Sequence, residues 1–470
     1  MEAWHRLSEK RNREEALQNG MINLITTVSK YLIILLIAYY TLEGFRYLMT
    51  EDPDRQDAIS KRARAAMFLL HFIAFAVLFL RAQDLRILVF YGAQLLFLLM
   101  YPFAFRKCYR NASLQLLNHV CMLLVFGFIM LTRLNIDHAM RQFIIVAAAA
   151  LITLPFPALL DRIWKLADLA PAYAGAGIVL LLIVLLGGSY SYGAKMTLSF
   201  GGLLSLQPSE FVKILFILFA ASRFQKSTDF RSVCITSAVA ALHVVILILC
   251  KDLGTALMFF VTYVVMLYLA TNRAVYLALG AGCMAAAASI AYRLFAHLRN
   301  RVAAWQNPFA DIAGTGYQMA HSLFAIGTGG LVGMGLYMGM PGRIPIVEKD
   351  FIFSAISEEM GALTAVCLIL ICLCCFLQMM MTSMYMDVPF YKLTAAGLGI
   401  CYIMQVFLTV GGAVKFFPST GVTLPFVAYG GSSVCASFLM FSIVQGMHVI
   451  MFEDAEAAEA EEEQEYEEDE

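Results

Sequence analysis

Charged residues are scarce in this sequence of 470 residues. Asp, Glu, Lys and Arg together make up only 14% of it, whereas hydrophobic residues make up 61%. An ordinary soluble domain has about 25% charged and about 45–50% apolar residues. A soluble fold of this length has too little interior to hide so much apolar surface. The composition therefore excludes a soluble globular protein and indicates an integral membrane protein.

Net charge is also small, −1 at pH 7, so the whole-chain balance says nothing about partners. No nucleic-acid ligand is expected. A cleavable signal peptide is not evident, because the basic start leads into an apolar run that is too long and lacks a small-residue cleavage site. The charges are segregated: the basic residues Arg6, Lys10, Arg11 and Arg13 crowd the segment 1–21, as in many cytoplasmic segments, and 453–470 consist almost purely of Glu, Asp and Ala. This tail is predicted to be disordered and cytoplasmic.

Cysteines are present but have no metal-ligand partners in the sequence. Most of the 11 lie in apolar runs, and the group Cys372, Cys374 and Cys375 has no His or carboxylate nearby. A metal or redox site would need such neighbours. These cysteines are interpreted as small buried hydrophobes.

Long apolar runs dominate the chain. A membrane-spanning helix needs about 20 mainly apolar residues, and backbone polar groups cannot be left bare in lipid. Thirteen segments meet this description: 22–41, 66–82, 85–106, 113–132, 142–160, 171–190, 209–223, 231–249, 254–271, 275–295, 352–377, 391–414 and 425–451. The predicted fold is an all-α, polytopic transmembrane helix bundle.

Short basic connections set a predicted orientation, because Lys and Arg favour cytoplasmic loops. Four such connections follow one another along the chain, each two spans after the last: Arg106, Lys107 and Arg110; Arg162 and Lys165; Arg223, Lys226 and Arg231; and Arg273. This pattern places 191–208, 250–253, 296–351 and 415–424 outside. The first three spans conflict with it, because 42–65 is also basic and an odd number of spans puts the basic N-terminus outside.

The connection 296–351 is far longer than the others, and loops of this size are usually functional. It is rich in glycine and also holds Trp305, Tyr317, Phe324 and Tyr337. A lid or a re-entrant segment and an unstructured spacer are the alternatives.

Ionisable residues near the ends of the spans need an explanation, because they are costly at membrane depth. Glu210 and Lys213 lie three residues apart at the start of a span, where they share a helix face. They form either a functional pair or a structural ion pair and helix cap. Asp252 precedes another span and is predicted to cap it.

Asp350 opens the span that follows the long connection. Ser354, Ser357, Glu358 and Gly361 follow at helical spacing and form one polar stripe. An Asp at a helix start is either an N-cap or, because the helix dipole keeps it ionised, a candidate general base. The sequence alone leaves both roles open.

The segment from Thr423 to Ser433 interrupts an apolar run with Pro425, Gly430, Gly431 and hydroxyl groups. A broken helix at membrane depth is tolerated where it is buried in protein or lines a cavity. The alternative is a face of small residues for tight helix packing.

A series of ordered motifs runs through residues 113–452: Gly193-Ala194-Lys195, Gln207-Pro208-Ser209-Glu210, Asp252-Leu253-Gly254-Thr255-Ala256, Arg301, Asn307-Pro308-Phe309, Gly316-Tyr317-Gln318, Ala325-Ile326-Gly327-Thr328-Gly329-Gly330, Asp350-Phe351-Ile352-Phe353, Glu358-Glu359-Met360-Gly361, Gly421-Val422-Thr423-Leu424-Pro425-Phe426 and Tyr429-Gly430-Gly431-Ser432-Ser433. Taken together, they resemble the SEDS family of shape, elongation, division and sporulation proteins, which includes FtsW, RodA and SpoVE.

The resemblance implies a core of ten helices in 107–452, seven before the loop 296–351 and three after it. Residues 22–106 then supply about three additional N-terminal helices. It also implies a peptidoglycan glycosyltransferase in the bacterial cytoplasmic membrane that polymerises lipid II, an undecaprenyl-linked disaccharide-pentapeptide. The implied partners are a class B penicillin-binding protein and other membrane proteins of the division or elongation machinery.

Asp350 matches the family's proposed catalytic residue and is predicted to act as general base, with inversion at the anomeric carbon. The departing diphosphate needs positive charge from basic residues or from a divalent cation such as Mg²⁺ or Mn²⁺; no other cofactor is expected. The predicted substrate-binding residues are Glu210, Lys213, Lys195, Asp252, Arg301, Arg343, Lys349, Glu358, Ser432 and Ser433. The alternatives are a lipid II flippase, which also uses broken helices, and a non-enzymatic scaffold of the cell-wall machinery.

Overall fold

The computed structural model describes residues 2–162, 164–191, 194–200 and 204–469. Its helices, in chain order, have the following bounds: α1 (Glu2–Leu48), α2 (Pro53–Ala82), α3 (Leu85–Cys108), α4 (Leu114–Leu134), α5 (Ile136–Thr153), α6 (Phe156–Arg162), α7 (Ala170–Gly187), α8 (Ser209–Lys226), α9 (Phe230–Leu249), α10 (Leu253–Thr271), α11 (Val275–Leu294), α12 (Ala296–Gln306), α13 (Tyr317–Gly329), α14 (Ile352–Tyr385), α15 (Pro389–Ala413) and α16 (Gly431–Asp469). Short 3₁₀ turns occupy Trp164–Asp168 and Pro341–Arg343.

Each of the thirteen predicted spans overlaps a long helix. In the described ranges, twelve helices are long and apolar enough to cross a membrane. The thirteenth, α8, has the length, but Glu210, Lys213, Arg223 and Lys226 make it more polar than the others. The predicted all-α transmembrane bundle is confirmed.

A small antiparallel sheet in the predicted outer loop 191–208 was not foreseen. It consists of β1 (Ser189–Ser191), β2 (Ala194–Phe200) and β3 (Leu204–Leu206), in the order β1-β2-β3. The Gly193 that opens the first family motif lies outside the described residues.

The boundaries of two segments differ from the sequence prediction. The last span begins at Gly431 instead of residue 425, because 420–430 forms an irregular segment in front of it. The acidic residues from 453 onward, expected to be disordered, continue the backbone of α16 as far as Asp469.

The core of the bundle lies around α4, whose residues are buried from Leu114 to Thr132. Such a helix, apolar on all sides, belongs at the centre of a large protein. At the other extreme, α11 is almost fully exposed and buries only Gly280, against Val264 of α10.

The end of the bundle that carries residues 296–351 is here called the loop end. Side-chain contacts show which helix termini lie there. Lys30 of α1 donates to Gly333, and Arg133, at the end of α4, donates to Gly339. The opposite end holds the start of α4, where Ser113 bonds to Gln445 of α16. The N-terminal half of α1 therefore lies on the side of the long connection, opposite the acidic tail, as an odd number of spans requires.

Candidate functional site

Asp350 and Arg301 meet at the loop end, beside Gly421. A Cβ atom added to Gly421, whose φ is +79°, would lie 3.8 Å from Asp350 Oδ2 and 3.9 Å from Arg301 Nη2. Arg301 projects from α12 and donates from Nη1 to the carbonyl oxygens of Ser419 and Thr420, both at 3.2 Å. Glycine at 421 thus leaves open a small space that both charged groups border.

The capping role left open for Asp350 is not what the structure shows. Helix α14 begins at Ile352, and the residue at its N-cap position is Phe351, which provides no side-chain cap. Within the described chain, no backbone N–H of α14 donates to the Asp350 carboxylate. Asp350 is therefore a half-buried carboxylate that does not cap its own helix and lies near Arg301.

Burial raises the pKa of Asp350 to about 6, although the positive charges of Arg301 and Lys349 act in the opposite direction. Burial penalises the ionised form, and the two cations favour it. A carboxylate with this pKa is largely ionised at neutral pH yet close enough to it to accept a proton. General bases require this property.

Asp252 takes the capping role that the sequence predicted. Its carboxylate accepts the N–H of Thr255 at 3.1 Å at the start of α10. Burial also raises its pKa, a nearby Glu210 carboxylate raises it further, and Arg301 lowers it. Asp252 thus lies close enough to both residues to feel their charges, although its cap engages it with the backbone.

The start of α10 packs directly on the segment that carries Gly421. A Cβ added to Gly254 would come within 2.9 Å of the Thr420 carbonyl oxygen and of Val422. Only a residue without a side chain permits this approach. The Asp-Leu-Gly-Thr motif thereby brings the start of α10 against the segment to which Arg301 is bonded, and Asp252 comes within the electrostatic reach of Arg301.

Glu210 and Lys213 form a buried ion pair on the first turn of α8. Lys213 Nζ donates to Glu210 Oε2 at 2.7 Å and to Gln405 Oε1 at 2.8 Å, and only 1% of the Lys213 side chain is exposed. A buried ammonium needs such partners because its desolvation is costly. The structural ion pair anticipated from the sequence is present and reaches α15.

The broken segment 420–430 is held by the same network. Gln405 donates to the Thr423 carbonyl at 3.0 Å and to Ser433 Oγ at 3.2 Å, and Thr423 donates to Ser433 Oγ at 3.0 Å. Ser432 accepts the N–H of Gln207 at 2.9 Å. Both serines therefore fix the irregular segment in place, and their predicted contact with substrate stays a prediction.

Three further basic residues, Lys349, Lys195 and Arg343, were predicted to bind substrate, and they differ in their surroundings. Lys349 is its chain neighbour and exerts a direct electrostatic effect on it. Lys195, in β2, donates from Nζ to the Leu185 carbonyl at 3.0 Å, and its N–H bonds to the Cys250 carbonyl, near Asp252. Arg343 is exposed at the 3₁₀ turn of the long connection.

Glu358 lies in a second polar cluster, deeper along α14. It is buried, and its Oε1 accepts the N–H of Met340 at 2.8 Å. The neighbouring Glu359 accepts from Arg133 Nε at 2.9 Å and from the Tyr337 N–H at 3.2 Å. The structure thus links Glu358 to the segment that precedes Asp350 and not to Asp350 itself.

The sequence analysis did not single out Arg133, His138 and Glu348. Arg133 pairs with Glu359. His138 Nδ1 lies 2.6 Å from Glu348 Oε2, and the His138 ring stacks on Tyr429. Arg133 and His138 flank the end of a span, where charged residues look like ordinary boundary residues. Only their pairing across more than 200 residues of sequence shows their role.

A resident metal would need several anionic or imidazole ligands together. In the ranges that the structure describes, no group of three or more His, Cys, Asp or Glu side chains could hold a metal ion. Magnesium commonly binds through one or two carboxylates together with substrate phosphates.

The chain is similar in sequence to a known family and to several characterised proteins. The family described as "Cell cycle protein", named for FtsW, RodA and SpoVE, matches residues 113–451. The peptidoglycan glycosyltransferase RodA of Mycobacterium tuberculosis H37Rv is 35% identical over 288 residues, which are 57% of this chain and 61% of that protein. The stage V sporulation protein E of Bacillus subtilis is 30% identical over 57% of this chain and 75% of its own length. This chain therefore spans about three fifths of the mycobacterial RodA relatives.

Solved structures share the fold. A chain of a peptidoglycan synthase complex, described as coordinating polymerization and crosslinking, superposes with a TM-score of 0.63 at 23% identity, over 73% of this chain and 98% of that one. The rod shape determining protein RodA of Thermus thermophilus gives a TM-score of 0.54 at 23% identity, over 72% and 96%.

The resemblance deduced from the motifs is confirmed in its extent as well as in its kind. Twelve candidate spans and bacterial relatives identify a multi-pass bacterial membrane protein. The family match takes in well over half of the chain. This protein therefore belongs to the FtsW, RodA and SpoVE family of cell cycle proteins.

Proposed function

We propose that this protein is a peptidoglycan glycosyltransferase that polymerises lipid II on the outer face of the bacterial cytoplasmic membrane. The observation that carries the proposal is the half-buried carboxylate of Asp350, which faces Arg301 across Gly421. The names of the RodA, FtsW and sporulation relatives support the reaction class.

In the proposed reaction, Asp350 accepts the proton of the attacking sugar hydroxyl. As that oxygen bonds to the anomeric carbon of the second substrate, the bond from this carbon to the diphosphate oxygen breaks. The electron pair leaves with the lipid diphosphate, and a single displacement inverts the anomeric configuration. A general base in such a position contributes about 10²–10⁴-fold to the rate.

The diphosphate gains negative charge as it departs, and cations fixed near its oxygens stabilise that charge. Arg301 and Lys349 are the cations beside Asp350. The guanidinium of Arg301 is already held by two backbone carbonyls, so it needs little rearrangement before it binds an anion. A divalent cation, where one is required, would add charge at the same place.

A penicillin-binding protein of class B is the proposed partner. One structural neighbour belongs to a peptidoglycan synthase complex that couples polymerization to crosslinking, and this supports the proposal. A polymerase that works with a crosslinking enzyme delivers a strand on the face where the partner acts. The loop end is the proposed outer face.

The test uses the purified full-length protein with lipid II and its cognate partner, in lipid vesicles. The proposal predicts glycan polymer on a gel, with no accelerated movement of fluorescent lipid II between leaflets. Accelerated movement without polymer would instead identify a flippase. Neither activity, together with normal assembly of the cell-wall machinery in cells, would identify a scaffold.

The outer placement of the site has its own test. Reporter fusions after residue 312, in the long connection, and after residue 387, between α14 and α15, are expected to read outside and inside. Reversed readings would place Asp350 in the cytoplasm and contradict the proposal.

A further inference from the structure

Helix α14 is interrupted at Gly361. Residues of the preceding connection form hydrogen bonds with the backbone groups on both sides of the interruption. Gly361 has φ +90° and ψ 162°, so the helical ladder is lost around it. The N–H groups of Met334 and Gly335 donate to the carbonyls of Glu358 and Glu359 at 2.9 and 2.8 Å. Ala362 and Leu363 donate in turn to Gly330 and Leu331, at 2.9 and 3.1 Å. Backbone groups at membrane depth must find partners in the protein, and segment 330–335 provides them.

The pairing requires two backbones at very close range. A Cβ on Gly333 would lie 2.5 Å from the Glu359 carbonyl oxygen and 2.6 Å from the Gly361 nitrogen. Gly333 also has a positive φ of +76°. The position of segment 330–335 is therefore coupled to the position of Glu358 and Glu359.

Two of the additional N-terminal helices, α1 and α2, contact residues of the stretch 330–340 from outside the family core. Lys30 of α1 donates from Nζ to the Gly333 carbonyl at 3.1 Å. Arg81, at the end of α2, donates to Thr26 Oγ1 at 3.0 Å and contacts Met338 Sδ at 3.1 Å. Thr26 itself lies against Gly335, at 3.2 Å from a Cβ built there.

The far end of the same connection carries Asp350. Between Gly339 and Asp350 the chain is held by Glu358, which accepts the Met340 N–H, and by Glu348, which bonds to His138 and whose carbonyl accepts the Tyr429 N–H. The connection from Gly333 to Asp350 therefore belongs to one hydrogen-bonded network with α14 and α5.

We propose that α1 and α2 position the segment 330–340, with Lys30 and Arg81 as positioning residues for the site at Asp350. The proposal rests on the polymerase function proposed above. Lys30 has no hydrogen bond or ion pair with Asp350 or Arg301; it acts through Gly333 and the backbone pairing with α14. The additional helices α1 and α2 then help to position the site of this chain.

Lys30→Met tests the contact because it keeps the length of the side chain and removes its charge and donors. A hydrogen bond from a charged group to a buried carbonyl is worth about a factor of ten or more in an equilibrium. We expect hydrogen exchange at Met334 and Gly335 to accelerate about tenfold, while exchange elsewhere in α14 and α15 stays at the wild-type rate. Lys30→Arg keeps a donor within reach and is expected to restore the wild-type rates.

The same variants are compared in polymerisation, with Lys61→Met as the matched control. Lys61 lies on α2 at the opposite end of the bundle, is 69% exposed and pairs only with a surface carboxylate. Lys30→Met is expected to lower kcat about tenfold with KM changed less than about twofold, because the contact orders the site and does not bind substrate. Lys30→Arg should recover most of kcat, and Lys61→Met should stay within about twofold of the wild type.

Equal kcat for Lys30→Met and the wild type would overturn the inference, as would an equal loss in Lys61→Met. The exchange measurement separates this outcome from failure of the proposed function, because it needs no substrate. If the wild type makes no polymer, exchange that is unchanged by Lys30→Met still overturns the inference. Acceleration confined to 330–340 still supports it.

Discussion

Asp350 and Arg301, separated by 48 intervening residues that include helix α13, border the same space beside Gly421. The carboxylate oxygen Oδ2 and the guanidinium nitrogen Nη2 lie 3.8 and 3.9 Å from the position that a Cβ of Gly421 would occupy. The arrangement joins a proton acceptor to a cation that can meet a departing diphosphate. The proposed reaction needs both at one place.

The pH dependence of polymerisation should follow the ionisation of Asp350. Its pKa is raised by burial to about 6, and only the ionised form accepts a proton. The value of kcat/KM is therefore expected to rise about tenfold per pH unit below about pH 6 and to level off above it. Initial rates measured from pH 4.5 to 8 check this. The rising part of this pH profile is its acidic limb. An acidic limb centred near pH 4 would show that the carboxylate is not buried in the working enzyme.

Arg301→Gln should move this acidic limb to higher pH. Arg301 lowers the pKa of Asp350, so its removal leaves the effect of burial less opposed. We expect an upward shift of about half to one pH unit, together with a lower kcat at the plateau. Arg299→Gln, on the same helix and exposed, is the matched control and should leave the limb in place. An unchanged limb in Arg301→Gln would show that the two groups do not interact.

The buried ion pair of α8 predicts a strong coupling between its members. Lys213→Met leaves Glu210 without its cation and Gln405 without its donor. We expect a loss of about 3–5 kcal/mol in stability, because an unpaired charge remains buried. The double variant Glu210→Gln with Lys213→Met should recover a large part of this loss. Thermal melts of the four proteins in detergent measure the coupling, and additive losses would contradict it.

Gly361 and Gly327 should respond in opposite ways to alanine. At Gly361, with φ +90°, a Cβ would collide with the backbone of Gly333 and Leu331, so Gly361→Ala is expected to disrupt the hydrogen bonds on both sides of the interruption of α14. At Gly327, inside α13, nothing lies within 4 Å, and alanine should stabilise the helix by up to about 1 kcal/mol. The yield of folded protein and its melting temperature check both. A stable Gly361→Ala protein would mean that the break is not required.

Much of the fold was predictable because hydrophobic run length dictates spanning helices. The thirteen apolar segments from α1 to α16 could be read from sequence alone, since the bilayer imposes one length and one secondary structure on them. The strands β1 to β3 were not predicted, because a short hairpin in an outer loop carries a weak local signal. The break at Gly361 was hidden for a similar reason, since one glycine in a long apolar run is usually accommodated in a helix.

Contacts within the site could be predicted where both residues lie on one helix. Contacts between residues far apart in the sequence could not. The cap at Asp252 and the pair Glu210–Lys213 follow from spacings of three residues on one helix. The contact of Arg133 with Glu359 depends on packing between α4 and α14. No sequence spacing encodes that packing without a known fold.

The orientation of the additional helices is the clearest case in which structure adds to sequence. Basic residues at both ends of α1 gave contradictory signals under the positive-inside rule. The contact of Lys30 with Gly333 assigns the N-terminal half of α1 to the loop end. A charge rule counts residues in loops, whereas Lys30 is used in a specific tertiary contact.

Polymerisation of lipid II by Asp350→Asn, beside Asp252→Asn and the wild type, tests the central claim most directly. Asp350→Asn is expected to lower kcat by at least about 10²-fold while the protein stays folded, because an amide has the shape of the carboxylate but accepts no proton. Asp252→Asn keeps an oxygen to cap α10 and is expected to retain activity within about tenfold of the wild type. Polymer formed by Asp350→Asn at close to the wild-type rate would contradict the account.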